Sequence, residues 1–268
     1  MFLESYTEQK ELVTVVAKDN NRLAHRIYDK YGLSVDATDI HQGDIPQIKY
    51  TEVASVWDLH NTMEILINEL EKYPTSYVRR LGIQAFRIFG EIYIPDPKKV
   101  RSVWPNKLRK THGLASTDPR ILYLAVAGAD YDQIADTLHH ELFHISDYAF
   151  SPKRKKRIRK SLKKYSNPSW VKLNPSGQNS YVEGISSRLL DNDMDIVQNG
   201  FLSPFCMEND VEDRAYLAEI LMSGSYFVEE IIEETKDEIL ERKFRLLQNI
   251  YRGRTNGVMN YDWFHNLF

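Results

Sequence analysis

The chain has 268 residues, 42% of them apolar and 27% charged, which is enough to bury a core and excludes a fully disordered polymer. A net charge of −3 lies too near zero to imply a nucleic-acid or membrane partner by itself. The single cysteine, Cys206, excludes an intramolecular disulfide and argues against a thiolate metal cluster.

The first residues, "MFLESYTEQKELVTVVAKDNNR", carry acids where a secretory leader would be basic or apolar. No apolar stretch approaches the roughly 20 residues that span a bilayer. Together with the low cysteine count, this favours a soluble, cytoplasmic protein over a secreted one. Residues 1–50 mix helical runs with a polar loop, "DATDIHQGDIPQ", and form a candidate N-terminal helical extension.

Residues 54–73 predict an amphipathic helix: Val56, Leu59, Met63, Ile67 and Leu70 recur every three or four positions, and Pro74 ends the run. "GIQAFRIFGEIYI", 82–94, is rich in β-branched and aromatic residues and predicts one or two strands broken near Gly90. A mixed loop, "WPNKLRKTHGLASTDP", follows. "RILYLAVA", 120–127, predicts a further strand closed by Gly128, and Asp130 or Asp132 is placed to cap the helix that comes next.

That helix carries "TLHHELFHISDY", 137–148. His140 and His144 are four apart, so an α-helix sets both imidazoles on one face, one turn apart, within reach of one ion. His139 cannot replace His140, because Phe143 stands at its partner position. Glu141 follows the first histidine, about 100° round the helix, and can reach a water on the ion without ligating the ion itself. This is the H-E-x-x-H arrangement, in which zinc acidifies its water and the glutamate moves the proton. The bland alternative is an ordinary helix that happens to carry histidines.

Two histidines leave zinc short of a third protein ligand. The same helix does not supply one: Asp147, seven after His140, shares its face but lies too far along the axis. It is better placed to accept from a histidine N–H. The best source is "ENDVEDRAYLAEILM", a predicted helix headed by Glu212, 68 residues after His144. Glu219, seven further on, and Glu208, Asp210 and Asp213 are competitors. "SPKRKKRIRKSLKKY", 151–165, holds nine Lys or Arg and no acid, and reads as a basic insertion within 151–180. The run 153–164 offers a nucleic-acid or acidic-substrate surface as a minor reading, although no aromatic residue interrupts it for base stacking. A long acidic-then-basic helix, "SYFVEEIIEETKDEILERKFRLLQNIYRG", is predicted to run unbroken to about Gly253.

"HHELFHISDY" followed by "EDRAYLAEILM" resembles the gluzincin metallopeptidases. It is similar in particular to small bacterial zinc peptidases with H-E-x-x-H-x-x-D and a downstream E-D-x-A, and more distantly to the anthrax lethal factor catalytic domain. The likeness covers roughly residues 120–222. It implies a single α+β, zincin-like domain over 1–268, with a small twisted sheet over an active-site helix and a helical C-terminal half. It implies Zn2+ on His140, His144 and Glu212, support from Asp147, Glu141 as general base, and hydrolysis of a peptide or protein substrate. It also implies that the strand before the metal helix is a sheet edge pairing with extended substrate, through Tyr123, Leu124 and Ala125. One departure stands out. Where such relatives often have an oxyanion-steadying tyrosine seven residues before the ligand glutamate, this chain has Phe205. Tyr148, Tyr181 and Tyr216 are the substitute donors, and a zinc-binding, proteolytically inactive module is the alternative.

Overall fold

The computed structural model describes residues 2–37, 49–53, 55–95, 108–117, 119–150, 167–182 and 199–267. The basic run 153–164 and most of the polar loop before residue 49 fall outside them. The described chain forms two compact units, Met1–Leu138 and His139–Phe268.

The first unit begins with α1 (Phe2–Tyr31), whose Val16, Leu23, Ile27 and Tyr31 are buried at helical spacing. It packs against α2 (Val56–Glu71), which buries Met63, Leu66, Ile67 and Leu70. The Ser55 side chain caps α2 by accepting from Trp57 N. Pro74 then opens α3 (Thr75–Leu81), and Gly82 closes it at φ +63°, a left-handed conformation suited to glycine.

Seven strands follow or intervene: β1 (Ser34–Asp36), β2 (Lys49–Tyr50), β3 (Ala85–Phe89), β4 (Ile92–Pro95), β5 (Leu108–Thr111), β6 (Gly113–Thr117) and β7 (Arg120–Ala125). They form a four-stranded sheet in the order β1-β3-β7-β6 and a three-stranded antiparallel sheet in the order β2-β4-β5. In the larger sheet β1, β3 and β7 are parallel and β6 is antiparallel. The expected break near Gly90 is real, and it transfers the chain from one sheet to the other. The stretch 108–117, expected as loop, is instead two short strands, because pairing rather than apolar pattern organises "LRKT" and "GLAST".

The expectation that β7 is an edge strand is corrected. Tyr123, Leu124 and Ala125 are paired on one side with Arg87, Ile88 and Phe89 and on the other with Leu114 and Gly113 or the adjoining chain, where Ala125 N donates to His112 O at 2.8 Å. All three residues are buried. Their backbone groups are already used, so no peptide can add there. The edge beyond β7 belongs to β6.

The helix α4 (Tyr131–Ala149) starts where expected, with Asp130 Oδ1 accepting from Gln133 N at 2.9 Å, and crosses from the first unit into the second. The second unit is helical. Its elements are the C-terminal half of α4, the short α5 (Pro168–Val171), single 3-10 turns at Gly177–Ser180 and Pro204–Met207, α6 (Asp210–Thr235), α7 (Glu238–Arg254) and α8 (Tyr261–His265). Their core includes Leu142, Phe143, Trp170, Leu217, Leu221, Phe244, Leu247, Tyr251 and Phe264. The long helix expected from Ser225 to about Gly253 is divided once, where Lys236 adopts φ 54° and Asp237 caps α7 through Ile239 N and Leu240 N; the interruption of α6 at Gly224 falls just before that stretch. The mixed α+β class is as expected, with the described strands in the first unit and, among the described residues, helices in the second.

A Cβ at Gly90 would collide with the Glu52 carbonyl oxygen and lie 2.7 Å from Thr51 Oγ1. Backbone cannot retreat cheaply while Gly90 N donates to Thr51 O at 2.9 Å. Gly90→Ala is therefore expected to lower stability by about 1–3 kcal/mol, read as a reduced denaturant midpoint.

Candidate metal centre

The helical spacing of His140 and His144 does what the sequence requires: the rings sit with centroids 4.7 Å apart, near-perpendicular, and the two Nε2 atoms are 3.1 Å apart. Glu212 enters from the first turn of α6. Its position is set by Asn209, whose Oδ1 accepts from Val211 N and Glu212 N at 3.0 Å each and starts the helix there. Glu212 Oε2 lies 3.1 Å from His140 Nε2 and 3.3 Å from His144 Nε2. Among the described residues, these three form the one group of His, Cys, Asp and Glu side chains able to share an ion.

The donor set fits zinc. Ligand atoms about 2.0–2.1 Å from a tetrahedral ion stand roughly 3.3–3.4 Å from one another, close to the 3.1, 3.1 and 3.3 Å separations found. Two ring nitrogens and a carboxylate oxygen facing one another are three lone-pair carriers.

A positive charge is favoured at His140. Burial lowers its pKa, but hydrogen bonding to Glu212 and Glu219 and the charge of Glu141 outweigh this and push it up to about 10. Glu212 moves the other way: burial raises it, and the charge of His144 with the bonds to both histidines hold it well below the usual carboxylate range. A cation at this point competes with the proton for the same lone pairs.

Glu219, one of the alternatives for third ligand, has a different place. Its Oε2 accepts from His140 Nδ1 at 3.0 Å, on the far side of the ring from Glu212. Two carboxylates seven apart on α6 thus hold one imidazole at both nitrogens. Among the described residues His144 has no such support: its Nδ1 is buried with no hydrogen-bond partner.

Asp147, expected to accept from a histidine, accepts instead from arginines. Its Oδ2 takes Arg214 Nε at 3.1 Å and Nη2 at 2.8 Å, and its Oδ1 takes Arg254 Nη2. Arg214 Nη1 also reaches Asp210 Oδ2 at 2.6 Å. This buried cluster ties α4, α6 and α7 together directly behind the ligand positions. A second one surrounds Asp213, whose Oδ2 accepts from Trp170 Nε1 at 2.7 Å, Tyr181 OH at 2.8 Å and Lys243 Nζ at 2.8 Å. Arg214 and Lys243 were not singled out from sequence. The signal was a basic residue at a core-facing position of each helical pattern, next to Ala215 and Phe244.

Phe205 lies beside the site, its ring centroid 5.8 Å from that of His140 and 6.4 Å from that of Tyr216. The hydroxyl that such a position could carry is absent. Of the substitutes, Tyr181 already donates to Asp213, and burial followed by the Asp213 charge raises its pKa. Tyr216 packs against the cluster of Phe201, Cys206 and Met207. In the first unit, a cavity of about 360 Å3 is lined by Asp58, Asn61, Glu64, Asn68 and Asp130 among others, and has no ion-binding trio.

Among solved structures, the fold is similar to that of a "putative zinc-binding metallo-peptidase" from Bacteroides caccae ATCC 43185. The TM-score is 0.58 over 94% of this chain and 90% of that one, at 12% identity. The likeness is one of fold alone, and the His140, His144 and Glu212 cluster is a feature of this chain. No protein-family model matches the sequence, and no curated protein does. No described helix is long and apolar enough to cross a membrane.

The Asp147 cluster generates a stability prediction. Burial raises this carboxyl, but Arg254 and Arg214 outweigh it and hold it below the ordinary aspartate value of 3.8. A depressed folded-state pKa contributes stability above the unfolded value, lost as pH falls through the folded one. Asp147→Asn should cost about 3–5 kcal/mol at pH 7, since it leaves buried arginines short of a counter-charge. The difference from the parent should shrink below about pH 4, as urea melts across pH will read.

Proposed function

We propose that the chain is a zinc-dependent metallopeptidase of gluzincin type. His140, His144 and Glu212 hold the ion, and Glu141 is the general base. The observation that carries this reading is the convergence of His140 Nε2, His144 Nε2 and Glu212 Oε2 to within 3.3 Å of one another. Zinc held there supplies a water made acidic near neutral pH and a positive charge that polarises a carbonyl.

The chain's own residues do the rest. Glu141, buried beside His140 on α4, takes the proton of the attacking water and returns it to the departing amine. Glu219 keeps the proton of His140 on Nδ1, leaving Nε2 free as a ligand atom. Asn209 and the Asp147 and Asp213 clusters hold α6 so that Glu212 meets both rings. The substrate is a peptide or protein, and the bond cut is an amide.

A second reading has one observation in its favour. Phe205 faces His140 with a ring that cannot donate a hydrogen bond to a developing oxyanion. A zinc-binding module without proteolysis would share every other feature of the site.

Two variants separate the readings. Glu141→Gln should keep zinc and lose about 10²–10⁴-fold in turnover of quenched-fluorescent peptide libraries. Glu212→Ala should lose zinc itself. Absence of turnover in the zinc-loaded parent favours the module, and turnover that ignores the change at 141 contradicts Glu141 as the base. Under the enzyme reading, Phe205→Tyr should raise the rate, by up to about 10²–10³-fold if the new hydroxyl reaches the oxyanion.

A further inference from the structure

We infer that Glu219 is a positioning residue that sets the metal affinity of the centre through His140. The inference rests on the zinc-site reading above and deepens it. Four observations carry it. First, Glu219 Oε2 is 3.0 Å from His140 Nδ1. A carboxylate only accepts, so the ring must donate, and the proton is fixed on Nδ1. Second, Nε2 of the same ring is the atom that faces Glu212 and His144, at 3.1 Å each. The tautomer that Glu219 selects is the one whose Nε2 lone pair points at the ion position.

Third, the support is one-sided. Among the described residues, His144 Nδ1 is buried without a hydrogen-bond partner, so of the two rings that of His140 alone is held by a carboxylate at Nδ1. Orientation of the centre, and the extra basicity a carboxylate lends an imidazole, therefore enter through a single contact. Fourth, Glu219 and Glu212 stand seven apart on α6, two helical turns, and grip opposite nitrogens of the same ring. The imidazole is held along the helix between them, so removing the far carboxylate frees the ring to rotate away from Glu212. Asp147, the acid that spacing along α4 offered for this task, is committed to Arg214 and Arg254.

The test uses the full chain stripped with chelator and titrated with zinc alone against a chromophoric competitor. Melting temperature of the metal-free protein is measured alongside. Glu219→Gln keeps the shape and an acceptor oxygen but removes the charge. It should weaken zinc binding by about 10–100-fold, and the metal-free chain, in which Glu219 also holds His140, should still melt cooperatively. Glu219→Asp, one methylene short of the ring, should weaken zinc binding as well, and it is read in the same way if the glutamine variant does not fold. Zinc affinity equal to that of the parent, or loss of the metal-free melting transition in both variants, overturns the inference. A parent chain that binds no zinc overturns the zinc-site reading instead, so the two failures are distinct.

Discussion

Two imidazole nitrogens and a carboxylate oxygen are held face to face in a largely buried cluster of the second unit, between α4 and the first turn of α6. Such an arrangement is costly without a positive charge at its centre. Lone pairs repel, and burial removes the water that would otherwise separate them. The strongly opposed shifts of His140 and Glu212 express that cost: a proton is drawn in where a cation would sit.

Rigidity comes from the two charge clusters on either side of the ligand carboxylate. Asp213 and Arg214 follow Glu212 directly, and each is buried in ion pairs with other helices: Asp213 with Lys243 of α7, Arg214 with Asp147 of α4. Buried pairs of this kind are weak evidence for net stability, because desolvation offsets attraction. Their consequence here is geometric. A single turn of α6 is fixed against both α4 and α7, and the side chain at its first turn cannot drift from the histidines.

Much of the centre was legible in the sequence, for a simple reason. Ligand spacing on one helix is a local property, and His140, Glu141 and His144 are set by the 3.6-residue turn alone. Glu212 could be singled out because it heads a predicted helix. What spacing could not tell was the partner of each acid. Asp147 and Glu219 both stand seven residues from a ligand, on the ligand face of their helices, yet one meets arginines and the other a histidine. That outcome depends on how α4, α6 and α7 pack, which no local pattern encodes. Strand order failed to be legible for the same reason. The apolar run of β7 was plain, but two flanking strands, one from a stretch with no apolar pattern, made it an interior strand and withdrew Tyr123, Leu124 and Ala125 from substrate pairing. The unbroken C-terminal helix failed at Lys236, where conformation rather than hydrophobic period decides.

Phe205 gives the site its individual character. Its ring lies beside that of His140, and under the proposed reading the centre has its ligands and base without a hydroxyl donor at this position. The most direct test of the central claim is X-ray absorption at the zinc edge of the purified, zinc-loaded chain. The account predicts one zinc per chain with two imidazole nitrogens and a carboxylate oxygen at about 2.0–2.2 Å. Substoichiometric metal, or a coordination shell without two imidazoles, would contradict it.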